Sequence, residues 1–225
     1  MASPPRQLAL ALDHGERLSR EDFLSGPSNE VALAAIERWP DWPVGMLAIA
    51  GPAGSGKSHV ASIWAALSGA RILSARAMQT PMLPDALATG ALVLEDCAPG
   101  GFDERALFHL LNLVREQKGY LLMTARTVPT LWEVALPDLS SRLRAMPAIP
   151  LSMPDDALLR AVMVKLFADR QLAVDENLVS YLLTRVGRSF AAVQEAVQTL
   201  DREALQRKRP VNRALAATLF RDPPS

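Results

Sequence analysis

The chain is poor in the features that mark several large classes of protein. It holds a single cysteine, Cys97, so no internal disulfide can form, and its three histidines, His14, His59 and His109, are too scattered to join it in a Cys/His metal site. A reducing compartment is expected. Net charge is missing as well: 24 Lys and Arg balance 24 Asp and Glu, which removes the positive field that holds a protein on nucleic acid by counterion release. Long apolar runs are absent too. The stretch Leu8 to Leu12 is far short of a signal-peptide core, and no later segment offers the roughly 18 apolar residues of a membrane span without Gly or Pro inside it. The expected location is the cytoplasm. There is no repeat at solenoid period and no low-complexity tract beyond the short ends.

What is present is the composition of a folded protein, 49% hydrophobic and 21% charged in 225 residues. That length suits one large domain or a medium one with a small one. Residues 1–20 combine Pro4 and Pro5 with dense mixed charge, the composition of a loosely held arm. Asn29 to Arg38 has apolar residues at helical spacing and is stopped by the WPDWP that follows. MLAIA at 46–50, bounded by Gly45 and Gly51, reads as a buried strand. A helix is expected over Lys57 to Leu67, and further strands over Ala70 to Leu73, Ala91 to Leu94 and Tyr120 to Thr124. Between the last two, DERALFHLLNLVREQ presents one apolar helical face. Strands alternating with helices predict the α/β class with a parallel sheet. After Pro154 the strands stop, and four helical segments follow with Asp155, Asp175, Ser189 and Asn212 as suitable N-caps. The expected division is an arm at 1–20, an α/β nucleotide-binding domain at 21–153 and a helical domain at 154–225.

Gly51-Pro52-Ala53-Gly54-Ser55-Gly56-Lys57-Ser58 fits G-x-x-x-x-G-K-[ST], directly after the MLAIA strand and directly before a helix. Glycines let backbone N–H groups turn inward around phosphates, and the helix N-terminus adds its positive end. Lys57 reaches the β/γ oxygens, and Ser58 can hold magnesium. His59, next in the chain, is taken with the loop as a nucleotide-side position, although its side chain, like that of His109, reads as packed or surface. A phosphate loop needs a second acidic site, and Glu95-Asp96 ends the ALVL strand where ligands of an open α/β sheet bind; a charged surface turn is the other reading. Ser58, Glu95 and Asp96 form the expected magnesium set, with Glu95 on the metal side. Thr124 ends the YLLMT strand, where its hydroxyl could meet the attacking water or the γ-phosphate, or be an ordinary strand-end threonine. Cys97 reads as a small filler, and Trp39, Trp42, Trp64 and Trp132 as core or rim packing.

The order of parts resembles the AAA+ ATPases, in particular the bacterial replication initiator DnaA and its shorter relative Hda. The phosphate loop, the acidic strand end, TARTVP, LPDLSSRL and a helical lid with GRSF carry the likeness, which runs from about Phe23 to the C-terminus. FLSGPSNEVALAAI is similar to the adenine-side segment and ALFHLLNLV to the helix after the acidic strand. The resemblance implies an AAA+ P-loop sheet with helices on both faces and a small all-α lid. It implies that Asn29 and the backbone near Leu24 line the nucleoside pocket, that Thr124 is sensor 1, Arg142 an arginine finger acting in trans, and Arg188 the sensor 2 arginine. The implied cofactors are ADP or ATP with Mg2+. Met78 to Gly90, with Pro81 and Pro84, reads shorter than the family's helix there. DnaA continues past the lid into a helix-turn-helix domain, whereas Ser225 is expected to close the lid here. Arg207-Lys208-Arg209 reads as a solvated helix end or a DNA contact.

In the arm, Gln7, Leu8, Leu10 and Leu12 form a Q-L-x-L-x-L peptide similar to those that dock on the replicative sliding clamp, the alternative being a short element packed on its own domain. Together the resemblances imply a regulator of replication initiation. It would bind adenine nucleotide and the clamp and stimulate ATP hydrolysis by DnaA, with little turnover of its own. DNA would be met only indirectly, and self-association fits a family whose members complete one another's sites. A non-catalytic DnaA or helicase adaptor and an autonomous ATPase of the helicase-loader type are the alternatives.

Overall fold

A computed structural model describes residues 18–220. Gln7, Leu8, Leu10 and Leu12 lie outside the described residues. Five strands, β1 (Met46–Ala50), β2 (Arg71–Ser74), β3 (Ala91–Cys97), β4 (Tyr120–Ala125) and β5 (Ala148–Pro150), form one sheet in the order β2-β3-β4-β1-β5. Every neighbouring pair is parallel. The central strands β1, β3 and β4 are apolar almost throughout because helices cover both faces of the sheet.

The pleat decides which layer each residue joins. Leu92 and Leu94 of β3, with Leu121 and Met123 of β4, face α4 (Glu104–Glu116) and α5 (Pro137–Ala145), where Leu107, Leu110, Leu111, Leu139 and Leu143 complete one buried layer. Val93 and Leu122 point the other way, joining Ile49 against α1 (Glu30–Glu37) and α2 (Lys57–Ser68), whose Leu33, Ile36, Val60 and Trp64 are buried. Each such fully buried aliphatic side chain contributes about 1.5–3 kcal/mol. Trp64 and Trp132 lie in the core, while Trp39 and Trp42 are partly buried at its margin.

Two elements differ from expectation. β5 is a fifth strand, too short at three residues to show in the apolar pattern, and Pro150 is tolerated because β5 pairs on one side only, with β1. β3 runs past Leu94 to Cys97, through a register break in which Asp96 takes a left-handed φ of 56°. Between β2 and β3 the chain makes a 3-10 turn at Thr80–Met82 and the four-residue α3 (Leu83–Ala86), a reduced segment as its two prolines predict.

Beyond β5, α6 (Asp156–Asp169), α7 (Glu176–Leu183), α8 (Phe190–Arg207) and α9 (Arg213–Leu219) enclose their own apolar cluster around Met163, Phe167, Leu182 and Val197. Each begins on the expected cap: the side chains of Asp155, Asp175, Ser189 and Asn212 accept the amides of Leu158, Leu178, Ala192 and Leu215. No helix among the described residues is long and apolar enough to cross a membrane.

Candidate nucleotide site

At the C-terminal end of β1 the chain turns through Gly51 to Gly56 and enters α2 at Lys57. Gly54 and Gly56 have φ of +78° and +94°, a region that side-chain-bearing residues rarely adopt. The first-turn amides of α2 therefore open onto the loop, with the positive end of the helix behind them. Ser55 is buried with its hydroxyl unpartnered, whereas Ser58 is exposed on the first turn of α2.

Lys57 folds back over this loop, its Nζ donating to the carbonyls of Gly51 and Pro52, both at 2.8 Å. Burial pushes its ammonium below the ordinary lysine range; Asp96 and Glu95 pull it up again, while Arg126 pushes it further down. The expected acidic pair thus lies within electrostatic reach of Lys57, Asp96 acting more strongly than Glu95. Arg126, exposed just past β4, is a further cation at this site that the sequence reading passed over. It carried no local signal. Its proximity arises because β1 and β4 are parallel neighbours, with Ala50 opposite Ala125.

Thr124 is buried on β4, and its hydroxyl accepts the backbone N–H of Asp96 at 3.1 Å. Among the described residues no three His, Cys, Asp or Glu side chains converge on a metal position. The hydroxyl of Ser58 and the carboxylates of Glu95 and Asp96 are nevertheless hard oxygen donors. They fit magnesium, which is ordinarily held by one or two carboxylates together with nucleotide phosphates. Cys97 is buried, and burial pushes its thiol up, which makes it inert filler.

The residues expected on the nucleoside side shape the backbone. Buried Asn29 accepts the Gly26 amide at 2.8 Å and donates to the Leu24 carbonyl at 3.1 Å, pinning the 24–29 turn ahead of α1. A Cβ at Gly26 would lie 3.2 Å from Leu158 of α6, so this turn meets the helical region directly. His59 points away from the phosphate loop. Its Nε2 is 2.8 Å from the Ser19 carbonyl and its ring stands edge-on to Phe23, with burial pushing its pKa down.

The helical region also touches the loop itself. The Phe190 amide donates to the Gly54 carbonyl at 3.3 Å, and a Cβ at Gly54 or Gly56 would fall 2.5 Å from Ser189 or 3.2 Å from Phe190. Arg188, immediately before this contact, pairs with Asp156 at 2.7 Å, both side chains 67% exposed. Arg142 is elsewhere. It lies in the last turn of α5 beside the entry ends of β1 and β4, its guanidinium carbon 5.2 Å from the Phe108 ring centroid. Glu104 orients this helix by accepting the Ala135 and Leu136 amides that lead into it.

A five-stranded 2-3-4-1-5 sheet with the phosphate loop after its β1 and a helical region seated on that loop has close structural counterparts. Domain III of the Thermotoga maritima replication initiation protein DnaA superposes with a TM-score of 0.75 at 18% identity, over 92% of this chain and 98% of that one. The fold is that of the DnaA ATPase domain. AMPPCP-bound DnaA from Aquifex aeolicus gives a TM-score of 0.64 at 17% identity, over 84% and 67% of the two chains. A Thermotoga maritima RuvB mutant gives 0.65 at 16%, over 85% and 66%. The chain is thus a DnaA-like AAA+ module in architecture. In sequence, it is 31% identical over 108 residues to an uncharacterized protein of Haemophilus influenzae, the match covering 47% of this chain and 46% of that relative, less than half its length. No protein-family model matches the sequence.

Proposed function

We propose that this protein is an Hda-like cytoplasmic regulator of chromosome replication initiation, which binds ADP or ATP with Mg2+ and stimulates ATP hydrolysis by DnaA in trans. The observation that carries the reading is the separation of two cationic groups. Lys57 belongs to the phosphate loop, whereas Arg142 stands at the opposite edge of the sheet with no ion pair among the described residues, available to a neighbouring molecule. An arginine offered to another protein's nucleotide stabilises the charge that develops on the transferring phosphoryl group, an effect of order 10³–10⁵ in rate.

In this chain's own site, Lys57 and the loop amides would bind the phosphates, Ser58, Glu95 and Asp96 would hold the metal, and Asn29 would keep the nucleoside-side turn in place. Bound magnesium would supply charge neutralisation for the nucleotide phosphates. Thr124 retains its own hydroxyl proton for a phosphate oxygen or water. Arg188 would leave Asp156, an exposed pairing worth about 0–1 kcal/mol, to meet the same phosphates. The Gln7–Leu12 peptide, with a leucine at every second position, would tether the protein to the sliding clamp.

The test is ATP turnover measured on the purified chain, on DnaA, and on both with DNA-loaded clamp. Stimulation only in the complete mixture is expected. Equal turnover by the chain alone would make it an autonomous ATPase, and complex formation with DnaA without stimulation would make it an adaptor.

A further inference from the structure

At the edge of the sheet opposite the phosphate loop, the entry ends of β1 and β4 and the last turns of α4 and α5 border an open cavity of about 560 Å³. Its floor is apolar, built from Leu111, Val114 and Met146, and Val44 stands at its lip 53% exposed. Trp42 forms a firm wall: its ring stacks on Trp64 with centroids 5.0 Å apart and planes at 17°, and its indole N–H donates to the Ala35 carbonyl. Three cations, Arg115, Lys118 and Arg142, line the cavity, and no carboxylate does. None of the three has an ion pair among the described residues.

Cations in the last turn of a helix are ordinarily explained by the helix dipole, and that accounts for Arg115 and Arg142. Lys118, with φ of 51°, is the left-handed residue that closes α4, where the Gly119 amide donates back to the Val114 carbonyl at 2.8 Å, and it adds a third cation beside the other two. Three cations with no ion pair among the described residues, set round an apolar floor that no carboxylate lines, have the form of a binding surface. A free phosphate would leave the floor wet. A nucleic acid strand would want a cationic track and an open aromatic face, whereas the charges here ring one cavity and Trp42 is already stacked.

We propose that this cavity docks an acidic protein segment carrying one large apolar side chain, which fills the floor while flanking carboxylates meet Arg115 and Lys118. Arg142 shares the cavity wall, so the docked partner lies beside it; that consequence alone rests on the reading of Arg142 as trans-acting.

The test is fluorescence anisotropy of the full chain with a short labelled peptide that has one tryptophan between runs of Asp and Glu. Saturable binding is expected, weakened about tenfold or more by Arg115→Glu with Lys118→Glu, by exchange of the peptide acids for amides, or by tryptophan to serine in the peptide. Both substituted positions are exposed, and unchanged ATP affinity in the same variant verifies its fold. The proposal is overturned if the peptide fails to bind or if charge reversal leaves its affinity within twofold. Full displacement by pyrophosphate or by mixed-sequence single-stranded DNA would overturn it as well. So would sedimentation showing that the reversal splits a dimer, since the occupant would then be a second copy of this chain. Loss of DnaA stimulation in Arg142→Ala with peptide binding intact would support the docking site and the trans reading separately.

Discussion

The hydroxyl of Thr124 on β4 accepts the backbone N–H of Asp96 on β3 at 3.1 Å, at the point where the pairing of the two strands breaks register. Asp96 is left-handed there, with φ of 56°. The threonine is therefore the brace that holds the acidic strand end in its left-handed turn, so the placement of Glu95 and Asp96 depends on a bond internal to the sheet. Thr124→Val removes the acceptor while keeping the shape. A loss of roughly 1–3 kcal/mol is expected for the orphaned amide, read as a lower urea midpoint, with Thr124→Ser close to wild type. A valine variant as stable as wild type would contradict the brace.

Lys57→Ala is expected to abolish adenine-nucleotide binding in calorimetry, because it deletes charge-assisted bonds worth roughly 1.5–3 kcal/mol each. The pH dependence has a definite sign. Only the protonated amine binds phosphate, and burial has moved the Lys57 pKa below its ordinary 10.5, so affinity should fall as alkaline pH rises through that lowered value, earlier than for an exposed lysine. Affinity that stays flat well above pH 10.5 would show that the ammonium contributes nothing.

Arg142 and Arg188 are expected to part company. Arg142→Ala should keep nucleotide affinity and lose stimulation of DnaA, since it stands at the far edge of the sheet. Arg188→Ala should weaken this chain's own nucleotide binding by roughly tenfold or more, while Asp156→Ala, which frees Arg188, should not weaken it. Isothermal titration and DnaA turnover assays separate the two. Stimulation unaffected by Arg142→Ala would remove the trans role.

His59 sets an acid limit on stability. Its folded pKa lies below the ordinary 6.5 because the ring is partly buried beside Phe23, so the unfolded chain takes up a proton first. Stability should be full above about pH 6.5 and decline as pH falls through the window between that value and the lowered one. Thermal unfolding from pH 7.5 to 5.5 should show this decline, and His59→Gln should flatten it. An identical slope in the variant would assign the acid sensitivity to other groups.

Deleting residues 1–12, or changing Leu8 and Leu10 to Ala, is expected to remove clamp binding and leave nucleotide binding unchanged. Two leucines at about 1.5–3 kcal/mol each plus the Gln7 amide, less the ordering cost, predict a contact of micromolar order. Surface plasmon resonance on immobilised clamp measures it directly; clamp binding that survives the deletion would locate the contact elsewhere.

What could be read from sequence was what is encoded locally. The phosphate loop is a fixed spacing of Gly, Lys and Ser between an apolar strand and a helix, and the four caps of the helical region each sit just before an apolar periodic run, where a short oxygen side chain can reach an amide three residues on. What escaped depends on segments far apart in the chain. β5 has too few residues to impose a period and becomes a strand by pairing with β1. Arg126 becomes part of the site through the parallel pairing of β4 with β1. The Thr124–Asp96 bond requires a break in strand register, which no composition announces.

The seat of α8 on the phosphate loop constrains the glycines twice over. Gly54 and Gly56 must be bare because of their backbone angles, and again because Ser189 and Phe190 occupy the space a side chain would need. Whatever the loop binds, a side chain at Gly54 would have to displace Ser189 and with it the start of α8, whereas one at Gly56 would need the Phe190 ring to give by a few tenths of an ångström. The glycines therefore testify to architecture as much as to phosphate. Lys57, whose ammonium bonds stay inside the loop, is the position whose loss would mark a chain that had stopped binding nucleotide.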